Sequence, residues 1–138
     1  MLAPDALPAP PCWADLDAYR WTHRPLLVFA PSAQDPRYAA FAEKAHPLGA
    51  ALAERDVPLV HAFARTNGHE PPCTLDPATA ERLRSTFGVR PDDATAILLG
   101  KDGGEKQRQP LAEPLDPLLD LIDGMPMRQR EIRERGRP

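Results

Sequence analysis

No Cys-x-x-Cys pair occurs anywhere in the chain: its two cysteines, Cys12 and Cys73, stand far apart, each beside proline ("PPCW", "PPCT"). That spacing excludes a vicinal dithiol centre. Charge of one sign is also scarce. Lys and Arg number 17 against 20 Asp and Glu, a formal −3, without the broad basic field that nucleic acid or an anionic membrane surface requires. No nucleic-acid partner is expected. No apolar run approaches the roughly 18 residues of a spanning helix, so no membrane insertion is expected either. The opening "MLAPDALPAPPCW" has neither a basic nor an apolar signal region and reads as no signal peptide. The compartment stays open: cytoplasmic as written, periplasmic or secreted if a leader has been removed.

Proline, by contrast, is abundant at 18 residues, and it punctuates the chain. Residues 1–12 are proline-rich and apolar without periodicity, an extended arm with no core of its own. One domain is expected over 13–138, long enough to bury about two thirds of its unfolded surface. "ADLDAYRW" is spaced for a short helix. "RPLLVFAP", apolar between prolines, predicts a central strand buried on both faces. Tyr38, Phe41, Ala42, Ala45, Leu48 and Leu52 recur at helical spacing, and Pro47 predicts a kink or break near His46. "DVPLVHAFA" is a second strand, with Pro58 pointing to a position at or near an edge.

Asp76-Pro77 opens another helix that turns Ala80, Leu83 and Phe87 inward and closes on Gly88 in the left-handed conformation. "TAILLG" and "EKQRQP" form a hairpin across "KDGG", expected as a two-residue turn. A last helix begins at Asp116-Pro117, and Pro126 kinks or restarts it before "MRQREIRER". Asp35, Asp76 and Asp116 all precede proline and are expected as caps. Aspartate accepts from a free helix amide, and proline at the first helical position has none to satisfy.

Strand, helix, strand, helix, strand, strand, helix, with a right-handed crossover and a closing antiparallel hairpin, is the order of a thioredoxin. "FGVRPDDATAILLGKDGGEKQR" resembles that fold's closing stretch, with Ala94 in place of its cis-proline just before Thr95. "LLVFAPSAQDPRY" resembles the elbow that carries the redox cysteines, filled here by Ser32, Ala33, Gln34 and Asp35. From Trp13 onward, "RPLLVFAPS", "LLGKDGGEK" and "LIDGMPMRQREIRER" resemble a bacterial thioredoxin-like family of unknown function. That family is related to vertebrate extracellular-matrix repeats of the DRO/URB/SRPUL/equarin type, and its members commonly look exported. The resemblance implies an α/β, thioredoxin-like fold: a central four-stranded mixed sheet flanked by helices, without CxxC and without dithiol redox activity. The bond before Ala94 is expected to be trans, since cis without proline costs about 3–4 kcal/mol.

Candidate binding residues are Ser32, Gln34, Asp35, Ala94 and Thr95, because a helix N-terminus concentrates amide donors and suits an anion or substrate. The plainer alternative is that Asp35 caps the helix and Ser32 shapes the turn, with no base nearby to activate Ser32. Cys12 and Cys73 are a disulfide or redox thiols. Paired in an oxidising compartment they tie the arm to a mid-chain loop, worth about 3–4 kcal/mol by loop entropy; in the cytosol they are free thiols. His69 and Cys73 lie close together, but four zinc ligands cannot be assembled, so no metal and no cofactor is expected. His61 alternates with Leu59 and Phe63 as a hydrogen-bonded core or boundary histidine.

In the tail, Arg128, Arg130, Arg133, Arg135 and Arg137 interleave with Glu131 and Glu134, which predicts a solvated, salt-bridged face. The alternative is a docking surface on which Met125, Met127 and Ile132 anchor a partner or the domain's own core. The function expected is a non-catalytic thioredoxin-like binding module for a protein partner. The alternative is a noncanonical thiol oxidoreductase or redox sensor using Cys12, Cys73 or both.

Overall fold

A computed structural model describes residues 12–135. The arm expected over 1–12 lies outside the described residues except for Cys12, and so does Arg137. A 3-10 turn (Leu16–Tyr19) precedes β1 (Leu26–Ala30), α1 (Pro36–Ala45), a second 3-10 turn (His46–Leu48), α2 (Gly49–Glu54) and β2 (Leu59–Phe63). Then follow α3 (Pro77–Phe87), β3 (Thr95–Leu99), β4 (Glu105–Pro110), α4 (Asp116–Asp123) and α5 (Pro126–Arg135). The four strands form one mixed sheet in the order β2-β1-β3-β4, with β1 parallel to β2 and the other pairs antiparallel.

Side-chain alternation divides the core in two. Leu26, Val28 and Ala30 of β1, with Phe63, Ala96 and Leu98, meet Tyr38 and Phe41 of α1, Leu52 of α2 and Leu118 and Ile122 of α4. Leu27, Phe29, Val60, Ala62 and Ile97 point the other way, onto Ala80 and Leu83 of α3 and onto Tyr19. All five residues of β1 are buried, so the unbroken apolar run is that of a strand covered on both faces. Each such side chain contributes roughly 1.5–3 kcal/mol on leaving water.

Both sheet edges are protected. On β4, Glu105 pairs with Arg108 and Lys106 with Asp102, so charge faces any strand that approaches. Along β2, the edge strand that Pro58 announced, His61 N–H donates to the Cys73 carbonyl at 2.9 Å and Leu75 N–H donates to the His61 carbonyl at 2.9 Å. The segment around Thr74 thus stands in for an outer strand.

Punctuation follows its chemistry, with two departures. Asp35 accepts from Arg37 N–H and Asp76 from Thr79 N–H, each ahead of a proline in the first turn. Gly88 closes α3 at φ 67°. Pro47 ends α1 at Ala45, and the 3-10 turn around it lets α2 leave in a new direction. Asp116, however, is the first residue of α4 and not its cap. Leu115 is buried and already accepts from Leu118 N–H, which starts the helix one residue early. There the Asp116 charge still complements the helix dipole. "KDGG" is also longer than a two-residue turn: β3 ends at Leu99 and β4 begins at Glu105. A bulge at Leu98/Leu99 shifts the register, and only Gly103 of the two glycines there takes positive φ, at 86°.

The tail departs in part: Arg130, Arg133, Glu134 and Arg135 are exposed as expected, but Arg128 and Glu131 are drawn onto the domain. Arg128 is buried, its Nε 3.0 Å from Asp123 Oδ1 and its guanidinium also against Glu54. Glu131 accepts from Arg24 at 3.0 Å and from Lys101 at 2.8 Å, and Arg24 itself is buried. Ion pairs hold α5 on the domain; of the expected apolar anchors, Met125 just before it packs against the core, whereas Ile132 is exposed.

Candidate functional site

At the elbow, β1 delivers the chain to Ser32 and Asp35, and α1 begins behind them. Ser32 Oγ accepts from Gln34 N–H at 3.3 Å, shaping the turn. The Asp35 carboxylate takes Arg37 N–H at 2.9 Å and the Arg37 guanidinium through Nε and Nη2, each at 3.0 Å. That Arg37 pairing, partly offset by burial, holds the Asp35 carboxyl below the usual carboxylate range. Arg37 Nη2 also donates to the Asp92 carbonyl at 3.0 Å, latching the elbow to the loop before β3. Ala94 and Thr95 sit on that loop and at the start of β3: Thr95 lies opposite Phe29, and Ala94, like Ala33, packs against the core. The predicted residues therefore do gather at one end of the sheet. No cis peptide bond occurs among the described residues, so the bond before Ala94 is trans as expected.

The cysteines are elsewhere and joined. Cys12 and Cys73 form a disulfide with Cα atoms 5.4 Å apart, at the outer margin of β2. Cys73 is held at φ 58°, a backbone region that L residues with side chains seldom occupy. It is held there by the β2 edge bond and by Thr74, whose hydroxyl donates to the Pro71 carbonyl at 2.7 Å. With its sulfur committed to Cys12, Cys73 is no metal partner for His69.

His61 faces the same loop from inside. Its Nδ1 lies 3.1 Å from the Pro72 carbonyl and 3.3 Å from that of Cys73. Carbonyls only accept, so Nδ1 carries the proton, and Nε2 accepts from the Tyr38 hydroxyl at 3.2 Å. Burial pushes the His61 pKa down against the opposing pull of the Cys73 and Pro72 carbonyls, and burial pushes that of Tyr38 up. The pair is a neutral, mutually satisfied hydrogen bond in the core. It borders a cleft of about 490 Å³ between α1, α2, the β2 margin and the disulfide.

The core role expected of His61 is what the structure shows. Sequence reasoning missed its partner, although a polar residue on the apolar face of a strand implies one. It also missed the Arg37 latch and the Arg24–Glu131–Lys101 cluster. Arg24 had one signal: a cation directly before a fully buried strand must find an anion.

A mixed β2-β1-β3-β4 sheet between helices, with an elbow after β1 and a closing hairpin and helix, defines a thioredoxin-like protein. The chain is similar to the crystal structure of the reduced 2-Cys peroxiredoxin of Plasmodium vivax: TM-score 0.58, 16% identity, over 82% of this chain and 70% of that one. At that identity the likeness concerns the fold alone. The chain belongs to the family described as "Domain of unknown function (DUF4174)", whose model matches residues 15–131. No curated protein matches it.

Proposed function

We propose that this chain is a non-catalytic thioredoxin-like binding module that meets a protein partner at its elbow end, through Ser32, Gln34, Asp35, Ala94 and Thr95. One observation carries the proposal: where the fold elsewhere places a thiol at a helix start, Asp35 fills the amide site and is locked through Arg37 to the Asp92 carbonyl. A latched polar surface suits recognition, because it loses little freedom on docking and holds no base to activate the Ser32 hydroxyl. Insulin reduction and peroxide turnover should match the protein-free control for the parent, Cys12→Ser and Cys73→Ser. Turnover by the parent that either substitution abolishes overturns the proposal.

The Cys12–Cys73 bond favours one second reading, a redox sensor. A dithiol reductant would give its two electrons and two protons to the bond, leaving two thiols here and its own disulfide. Reduction by glutathione at intracellular poise, followed by Ellman titration of the released thiols, separates a labile sensor from a structural link. A structural link persists in oxidising compartments, so we place the module outside the cytosol. The kinship with vertebrate extracellular-matrix repeats belongs to the same proposal.

A further inference from the structure

We propose that the cleft beside the disulfide is a binding site for a small neutral, largely apolar molecule that carries a single hydrogen-bond donor. The cleft exists because small side chains face it. Ala42 and Ala45 on α1 and Gly49 and Ala53 on α2 leave open a space that Pro47, by turning one helix away from the other, keeps from closing. A Cβ built on Gly49 meets nothing within 4 Å. The volume of about 490 Å³ lies within the roughly 300–1,000 Å³ of small-molecule sites.

Its chemistry restricts the occupant. Phe41, Leu52, Val57 and Leu59 provide apolar walls, and among the described residues no Asp, Glu, Lys or Arg lines it. An ion entering would lose its hydration with no opposite charge to replace it. The buried polar side chains in its lining are Tyr38 and His61, and their directions are fixed; His46, also in the lining, is exposed to solvent. His61 Nδ1 is committed to the loop carbonyls, and Nε2 is taken by the Tyr38 hydroxyl proton. What remains on these buried groups is acceptor capacity on the Tyr38 oxygen, so an O–H or N–H of the ligand is matched there and a carboxylate is not. The Cys12–Cys73 bond walls one side and holds the Pro71–Pro72 segment in place. The site is separate from the elbow.

The inference rests on the binding-module reading, and the two fail separately: cysteine-dependent turnover overturns the module, whereas the probe results below bear on the ligand alone. The probes are N-phenyl-1-naphthylamine, neutral with one N–H, and 1-anilinonaphthalene-8-sulfonate, of similar aromatic shape but anionic. With the full chain at pH 8, fluorescence titration should show saturable one-to-one binding of the neutral probe with Kd on the order of 10 µM. The sulfonate should bind at least about tenfold more weakly. Ala42→Leu and Gly49→Leu fill the space while keeping or raising helix propensity. Each should weaken the neutral probe about tenfold at unchanged Tm, by occupying volume that the ligand needs. Absent or unsaturable binding of the neutral probe overturns the proposal. So do equal affinities for the two probes, filled variants that bind as the parent does, and affinity that rises on dilution because a second copy occupies the cleft.

Discussion

Glu131→Gln tests whether a single carboxylate clamps α5 to the sheet. Glu131 receives Arg24 Nη2 at 3.0 Å, Arg24 Nη1 at 3.3 Å and Lys101 Nζ at 2.8 Å. Arg24 has little else: its side chain is 1% exposed, its Nε has no acceptor, and its one other bond is from Nη1 to the Arg55 carbonyl. Glutamine keeps the volume but removes the charge, and it brings an amide donor toward two cations. Removing one partner of a fully buried pair costs about 3–5 kcal/mol. Two features reduce that here: Glu131 is 17% exposed, and Lys101 retains Asp56 at 3.0 Å. The expected loss is therefore about 2–3 kcal/mol, seen as a lower urea midpoint by far-UV circular dichroism at pH 7 and a Tm lower by roughly 6–10 °C. Arg24→Met combined with Glu131→Leu should cost less than Glu131→Gln alone, because no buried charge is stranded. A loss below about 0.5 kcal/mol for Glu131→Gln, or a double substitution more damaging than the single one, refutes the clamp.

Acid should release the same clamp. Burial works to raise the Glu131 pKa, but Arg24 and Lys101 outweigh it and hold the carboxyl below its ordinary value. Its stabilisation is therefore complete above the unfolded pKa of about 4.3 and is lost as pH falls through the folded one; acid unfolding of Glu131→Gln should fall less steeply in that window than the parent. His61, depressed by burial, sheds stability at a higher pH. The unfolded chain binds its proton near pH 6.5 while the folded one does not, so the parent should weaken as pH drops below about 6.5. An imidazole NMR signal of His61 that titrates near 6.5 in the folded protein contradicts this. Cys12→Ser removes a link across a sequence separation of 61 residues, for which loop entropy gives at most about 4 kcal/mol and measured links commonly less; chemical denaturation should show a loss of about 2–4 kcal/mol, and an unchanged midpoint would sink the structural role. Gly88→Ala forces a Cβ into φ 67° and should cost about 1 kcal/mol, with Gly88→Asn costing less; equal stabilities for all three proteins contradict the left-handed cap.

The fold was legible because it rests on local signals. The run "LLVFA" between prolines reads as a strand covered on both faces, and Asp35-Pro36 and Asp76-Pro77 state a cap and a first helical residue in two letters. Asp116-Pro117 misled by one residue, because Leu115 found a place in the core and burial outweighed capping. The tail misled for a stronger reason. Its i,i+3 and i,i+4 charge pattern is indistinguishable from that of a solvated helix, and what buries Arg128 and Glu131 is a set of distant partners. Glu54 lies on α2 and Arg24 stands before β1. Likewise the fate of Cys12 and Cys73 depended on whether the β2 edge held residues 73–75 against it, a contact of topology and not of spacing.

These same commitments narrow where a partner can bind. The β4 edge carries fixed charge pairs that oppose strand addition, and the β2 edge already has its hydrogen-bond groups answered by Cys73 and Leu75. The basic tail, which looked available from its composition, has turned Arg128 and Arg135 onto Glu54. Its one deeply placed carboxylate, Glu131, is likewise consumed by Arg24 and Lys101. An acidic partner would have to compete with those contacts to reach Arg128, whereas Arg130 and Arg133 stay exposed on α5. The elbow and the cleft carry no such cost. At the elbow the Arg37 latch is exposed and already in place, and in the cleft the Tyr38–His61 bond is satisfied before anything enters. On the proposed reading, a module that has used its cysteines and most of its buried cations to hold itself together is left with the latched Asp35–Arg37 elbow and the uncharged cleft as its recognition surfaces.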